Sequence, residues 1–126
     1  MRLLRLLALA LLVGAPAGAL AQEPGSYARF TNNNRGLIFV DLSYVAADNC
    51  QAILDIRRSA PGGRPVDFRA VPLTVTIGPD PAGCSDSRVV RTTTHVNGGM
   101  EPNLVDIYFV RPDGRILKHE KVSVGI

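Results

Sequence analysis

Few side chains in this 126-residue sequence carry chemistry beyond packing: two cysteines, Cys50 and Cys84, two histidines, His95 and His119, and the thioether of Met100. The cysteines are too far apart for a C-x-x-C redox pair, so they read as the two ends of one structural disulfide closing a loop of about 35 residues. Imidazole and thioether are ligands for soft cations, which makes His95, Met100 and His119 the candidates for a copper site. Their spacing matches no metal-ligand pattern, however. Strand alternation also sets His95 beside Arg91 and His119 beside Lys121, on solvated faces that suit a cation poorly. The expectation is no metal and no cofactor.

Catalysis finds as little support. The sequence has no G-x-S-x-G elbow and no H-E-x-x-H helix, and no cysteine is left over to pair with a histidine. Asp80 and Asp86 share a Pro- and Gly-rich loop, where carboxylates cap and turn the backbone. Gly62-Gly63 and Gly98-Gly99 lack the strand-to-helix setting that would make either a phosphate loop. The reading is therefore not an enzyme, with no catalytic residue.

The start of the chain sets the compartment. Arg2 and Arg5, the apolar run to Val13 and the small-residue pattern Ala19-Leu20-Ala21 have the form of a cleavable signal peptide over residues 1–21. The uncharged run Leu6 to Val13 is far short of the ~20 residues that span a bilayer, so no membrane anchor is expected. A periplasmic or secreted protein beginning at Gln22 follows, and in that setting two lone cysteines oxidise to each other. Loss of Arg2 and Arg5 from the 14 cations leaves 12 against 11 acids, a net charge of +1. A near-neutral chain has no basic face to neutralise phosphates, which excludes nucleic acid as a partner.

The remaining 105 residues make one domain, with residues 22–26 a flexible leader and residues 27–126 the folded part. Short runs of Val, Ile, Thr and aromatics, separated by Gly, Pro, Asn and Asp clusters, predict about seven antiparallel strands in a sandwich, immunoglobulin-like or similar. The strands fall at Tyr27 to Thr31, Leu37 to Tyr44, Cys50 to Arg58, Arg69 to Gly78, Arg88 to Val96, Leu104 to Arg111 and Arg115 to Val124.

Two of these runs leave room for a second reading. As a strand, Cys50 to Arg58 puts Cys50, Ala52, Leu54 and Ile56 inward with Ile53 misplaced. As a helix over 49–58, in an α+β fold, Asp48 and Gln51 form its N-terminal capping box. In the last strand, Lys118 and Glu120 share the face of Ile116 and Val122, the usual guard of an exposed sheet edge, and a bulge is possible there.

What such a domain does is expected to lie in its loops: a binding or accessory module acting on another envelope or secreted protein, with a small-ligand or metal carrier as the alternative. Arg57, Arg58, Arg64 and Arg69 gather at one end of a hairpin and are the candidate contacts for a protein partner, since arginine is enriched at interface centres. Asp55 and Asp67 are the acids near enough to neutralise them.

Overall fold

Alternation of apolar and polar residues produces seven strands here, and no α-helix occurs among the described residues. The computed structural model describes residues 25–30, 37–63, 69–97 and 104–125. The expected signal peptide, the start of the expected leader, the expected turns at 32–36 and 97–99, Arg64, Asp67 and Met100 lie wholly or in part outside them. The strands are β1 (Tyr27–Phe30), β2 (Leu37–Val45), β3 (Gln51–Arg57), β4 (Ala70–Pro79), β5 (Val89–Asn97), β6 (Leu104–Val110) and β7 (Ile116–Gly125), with a short 3₁₀ turn at Pro61–Gly63. Every boundary lies within one residue of the sequence reading. The stretch from Cys50 to Arg58 is strand and not helix.

The strands form one sheet in the order β3-β4-β6-β7-β1-β2-β5. Its halves face each other across a core of Ile38, Val40, Leu42, Leu73, Val75, Ile77, Val105, Ile107 and Phe109, each at most 3% exposed. Three antiparallel hairpins, β1–β2, β3–β4 and β6–β7, are joined by an antiparallel β2–β5 pair and by two parallel pairs, β4–β6 and β1–β7. The sheet is thus mixed rather than purely antiparallel.

Parallel pairs are normally covered on both faces, and β4–β6 obeys this. Ala70, Thr74, Asp106, Tyr108 and Val110, on the side away from the core, are buried as well. Part of the cover comes from the chain leaving β3, where the Ser59 carbonyl accepts a hydrogen bond from Thr74 Oγ1 at 2.6 Å. Pro61 and Gly62 continue this cover beside Gly114, Arg115 and Ile116.

Two bulges change which residues face inward. Ile53 stands opposite Ile77, and the register then slips so that Asp55 faces Thr76 and Ile56 faces Val75. Ile53 and Ile56 therefore both reach the core, and Leu54 is turned out instead. It lies over Gly78, where an added Cβ would sit 2.6 Å from Leu54 Cδ1 and 3.0 Å from Pro112 Cγ. A residue with a Cβ would have to push the exposed Leu54 side chain aside and crowd Pro112. The second bulge lies between β6 and β7: Phe109 faces Lys118 but Val110 faces Ile116, leaving Leu117 as the extra residue. Ile116 is thereby moved to the face opposite Val122.

β7 is not an edge, because β6 flanks most of its length and β1 pairs with its last residues. The charges read as an edge guard, Lys118 and Glu120, pair with Phe109 and Ile107 in the middle of the β6 ladder, where β1 does not yet flank the other side of β7. The turn before β7 follows the sequence: Arg111 and Arg115 pair through Arg111 N–H at 2.8 Å, Asp113 Oδ1 accepts from Arg115 N–H at 3.0 Å, and Gly114 takes a φ of 93°.

The true edges are β3 and β5. They run in the same direction and lie alongside each other, yet no ladder joins them. A cleft of about 540 Å³ opens between Ala52–Ile56 and Val90–Thr92. Both ends of this seam are tied. At one end the Cys50–Cys84 disulfide is formed, Ser85 N–H donates to the Asn49 carbonyl at 2.8 Å and Asn49 Nδ2 donates to the Ser85 carbonyl at 2.6 Å. At the other, Arg58 Nη2 donates to the Asn97 carbonyl at 2.7 Å.

The bridge spans 34 positions, for which chain entropy gives a stabilisation of about 3.8 kcal/mol. Reduction should leave a folded but weaker protein, since total stabilities of single domains are typically ~5 to 15 kcal/mol. Melting followed by circular dichroism with and without dithiothreitol, with free thiols counted, tests this. An unchanged transition would show that the hydrogen bonds at this end hold the seam without the bridge.

Candidate functional site

The register of β1, β2 and β5 stacks polar and aromatic side chains in rows on the outer face of that half of the sheet. Alternation along β2 sends Phe39, Asp41 and Ser43 outward while Ile38, Val40 and Leu42 fill the core. Tyr27, Asp41 and Thr93 are directly opposed across the three strands, and so are Arg29, Phe39 and His95. Ser43 faces Arg91, and on its other side Ser26 Oγ accepts the Ser43 N–H at 3.0 Å. Neighbouring rows are two residues, or about 7 Å, apart.

The first row is a hydrogen-bonded unit. Thr93 Oγ1 donates to Asp41 Oδ1. This bond, followed by the one from the Tyr27 phenol and by the charge of Arg29, holds the Asp41 carboxyl below the usual carboxylate range. Reciprocally, the bond to Asp41, then its negative charge, raises the Tyr27 phenol above its ordinary value. In the second row the Arg29 guanidinium lies 5.2 Å above the Phe39 ring, and His95 meets the same ring edge-on at 6.0 Å. Tyr27 is 56% exposed. A cavity of about 300 Å³ lies against the first row and Ser43, walled also by Gly25 and Arg91.

A second cluster sits on the outer face of β6 and β7. Asp106, 3% exposed, accepts or shares a proton with His119 Nε2 at 2.7 Å, and the His119 ring stacks on Tyr108 at 4.2 Å with planes 4° apart. The carboxylate and the ring together fix the imidazole orientation, as in the base of a catalytic pair. Among the described residues no hydroxyl or thiol is bonded to His119, so this pair has an orienting acid but no nucleophile. His119 does share its face with Lys121, but its environment is set by Asp106 and Tyr108, neither of which the sequence reading paired with it.

The third feature is the β4–β5 loop. Positions 81 to 88 are all exposed, yet their backbone is held at many points. Asp80 N–H donates to the Cys50 carbonyl at 2.9 Å, Asp80 Oδ1 accepts from Ala82 N–H at 2.9 Å, and Gly83 N–H returns to the Asp80 carbonyl at 3.0 Å. Ser85 Oγ donates to the Ser87 carbonyl at 2.9 Å, and Ser87 Oγ accepts from Val89 N–H at 3.0 Å. Asp80 thus caps a turn, as its loop position implied. The side chains of Asp86 and Arg88 make no bond to a described residue.

The candidate arginines are only partly brought together. Arg57 pairs with Asp55 at 2.9 Å in the open, a contact worth ~0 to 1 kcal/mol. Arg58 ties the seam to Asn97, and exposed Arg69 precedes β4 at the same end of the sheet. Arg64 lies outside the described residues. His95 and His119 are on strands separated by β1 and β2, so they share no site, and Met100 lies outside the described residues. Among those residues no group of three His, Cys, Asp or Glu converges. Comparison with known proteins gives no further guide: no family model, no curated protein and no solved structure matches the chain.

Two outcomes follow from these clusters. Tyr27 should ionise at higher pH than a free phenol, and Asp41→Asn should bring it back towards the ordinary value, as followed by its ring resonances. Because the phenol value is raised on folding, the associated stability is present below the ordinary phenol range and lost as pH rises through the raised value. The depressed Asp41 works in the opposite direction: its contribution is present above the usual carboxylate range and lost as pH falls through the lowered value.

For the second cluster, His119→Ala strands a buried carboxylate and should cost about 1 to 3 kcal/mol in urea unfolding. His95→Ala, at an exposed site, should stay within ~0.5 kcal/mol. Equal costs for the two would remove the special role given to Asp106.

Proposed function

We propose that the chain is an exported module, periplasmic or secreted, that binds another protein through its loops and performs no reaction itself. The observation that carries this is the β4–β5 loop, exposed at every position from 81 to 88 but fixed by the Cys50–Cys84 bridge and by hydrogen bonds along its length. A loop that is only a connection has no need of such restraint. A loop that recognises a partner gains from it, because each side chain or backbone segment ordered beforehand is one that binding does not have to order.

The disulfide also fits export, since such bonds persist in oxidising compartments. Among the described residues no helix is long and apolar enough to cross a membrane.

Asp86 and Arg88 are the side chains best placed to test this, being exposed and free of bonds that hold the loop. With oxidised protein as bait in the exported fraction, Asp86→Ala with Arg88→Ala should weaken capture of the partner roughly tenfold or more while leaving the melting temperature alone. Arg57→Ala, at the other end of the sheet, combined with Arg64→Ala is the matched control. Loss of capture with the arginine pair and not with the loop pair would move the interface to that end.

A further inference from the structure

Two buried side-chain polar atoms lack a hydrogen-bond partner among the described residues: Ser43 Oγ and Glu120 Oε1. They come from different strands, β2 and β7, yet both adjoin the same short segment. Ser26 Oγ is bonded to the Ser43 backbone, and an added Cβ at Gly25 would meet Glu120 Oε2 at 3.9 Å. Buried polar groups are nearly always satisfied, so an orphan marks a place where something polar is missing. Only Ser43 belongs to the wall of a cavity, the one of about 300 Å³ that it shares with Gly25, Tyr27, Asp41, Arg91 and Thr93, and it is there that the orphan hydroxyl points to a site; Glu120 lies outside that wall, opposite Ile107.

We propose that this cavity on the outer face of β1, β2 and β5 binds a neutral polyhydroxylated ligand, namely a single saccharide ring. The charges in its wall oppose one another. The ionised Asp41 repels a carboxylate or phosphate, and Arg91 repels a cation.

What remains is a dense mixture of hydrogen-bonding groups. Asp41 offers acceptor sites beyond those used by Thr93 and Tyr27, Ser43 and Thr93 are hydroxyls that both donate and accept, and Arg91 is a planar donor fork with no bond to a described residue. Sugar hydroxyls both donate and accept and are carried in neighbouring pairs, which a carboxylate in one row and a guanidinium in the next can each engage. Beside these groups the exposed Tyr27 ring supplies a flat apolar surface for the carbon–hydrogen face of a sugar ring. A volume of about 300 Å³ is at the lower end of the ~300 to 1,000 Å³ of small-ligand sites, which suits one ring and not an extended chain.

The site is separate from the β4–β5 loop, and the inference does not depend on that loop binding a protein. The ring could come from a free sugar or be one unit of a polymer, and the test distinguishes these. Proton–nitrogen correlation spectra of the oxidised protein are recorded against glucose, galactose, mannose and N-acetylglucosamine, then against oligosaccharides of the same units, with sodium phosphate and acetate as anion controls.

At least one sugar should give saturable shifts confined to residues 25–29, 41–43 and 91–93. Equal binding of monosaccharide and oligosaccharide indicates a free sugar, whereas binding of oligosaccharide alone indicates a polymer unit. Arg91→Ala and Asp41→Asn should each weaken binding roughly tenfold or more. Ser43→Ala should weaken binding without lowering the melting temperature, because its hydroxyl contributes no bond to the free fold. Absence of localised shifts with every sugar, stronger shifts of the same amides by phosphate or acetate, or affinity indifferent to all three substitutions would overturn the assignment.

Discussion

Everything in this fold turns on backbone pairing that stops one step short of closure. Seven strands run from β3 to β5 through five continuous neighbours, and the two end strands come to lie alongside each other without a ladder. Unpaired strand edges are costly when buried and hazardous when open, because they invite other chains. Here the two edges face each other across an open cleft, and cross-links at both ends tie them together. The disulfide and the Asn49–Ser85 pair hold one end, and Arg58 on Asn97 holds the other. This gives the bridge a specific task. It fastens a loop that crosses from one half of the sheet to the other, at the place where that crossing would otherwise be held by a few exposed hydrogen bonds.

Alternation in the sequence carries a strand's two faces but not its neighbours, and this divides what was legible from what was not. Ile38, Val40 and Leu42 could be assigned inward because nothing interrupts their period. Around Ile53 the period breaks: one extra residue in β3 brings Ile53 and Ile56, three apart, to the same side, and an unbroken alternation then misassigns Leu54. The same happens at Leu117. A bulge has no sequence mark of its own. Its presence depends on the partner strand, and in these two cases the hint was a single apolar residue out of phase or a charge on an apolar face.

The status of β7 shows the other limit. Lys118 and Glu120 suggest a guarded edge, and along their stretch β7 does have one ladder only, but residue type alone cannot show that β1 flanks the strand further on. That depends on β1, where Ala28 and Arg29 pair in parallel with Val124 and Gly125, 96 positions away in the chain. Long-range register is likewise what assembles the outer face. Tyr27, Asp41 and Thr93 lie far apart in sequence and match no motif, yet two strand pairings place them in one row. Asp106 and His119 could have been suspected, since a tight turn joins their strands. Buried acid in a central strand is rare without a partner, and His119 was the ring within reach.

The seam and the outer face differ in how firmly they are held, and this separates the two binding roles. β2 and β5 are paired at all nine positions from Leu37–Asn97 to Val45–Val89, the longest uninterrupted register in the sheet. Side chains projecting from that ladder have their spacing set by the backbone hydrogen bonds themselves, which is the support a small-ligand site requires when an error of a fraction of an ångström loses a hydrogen bond. The β4–β5 loop has no ladder beneath it, and its shape is held by a disulfide, by Asp80 and by serine caps. A loop of that kind tolerates substitution at Asp86 or Arg88 without cost to the core. The face around Asp41 does not have that freedom, because Thr93 and Tyr27 are bonded to it. The two proposed roles thus rest on parts of different construction: a loop ordered by a disulfide and by caps for the partner, and a strand ladder for the small ligand.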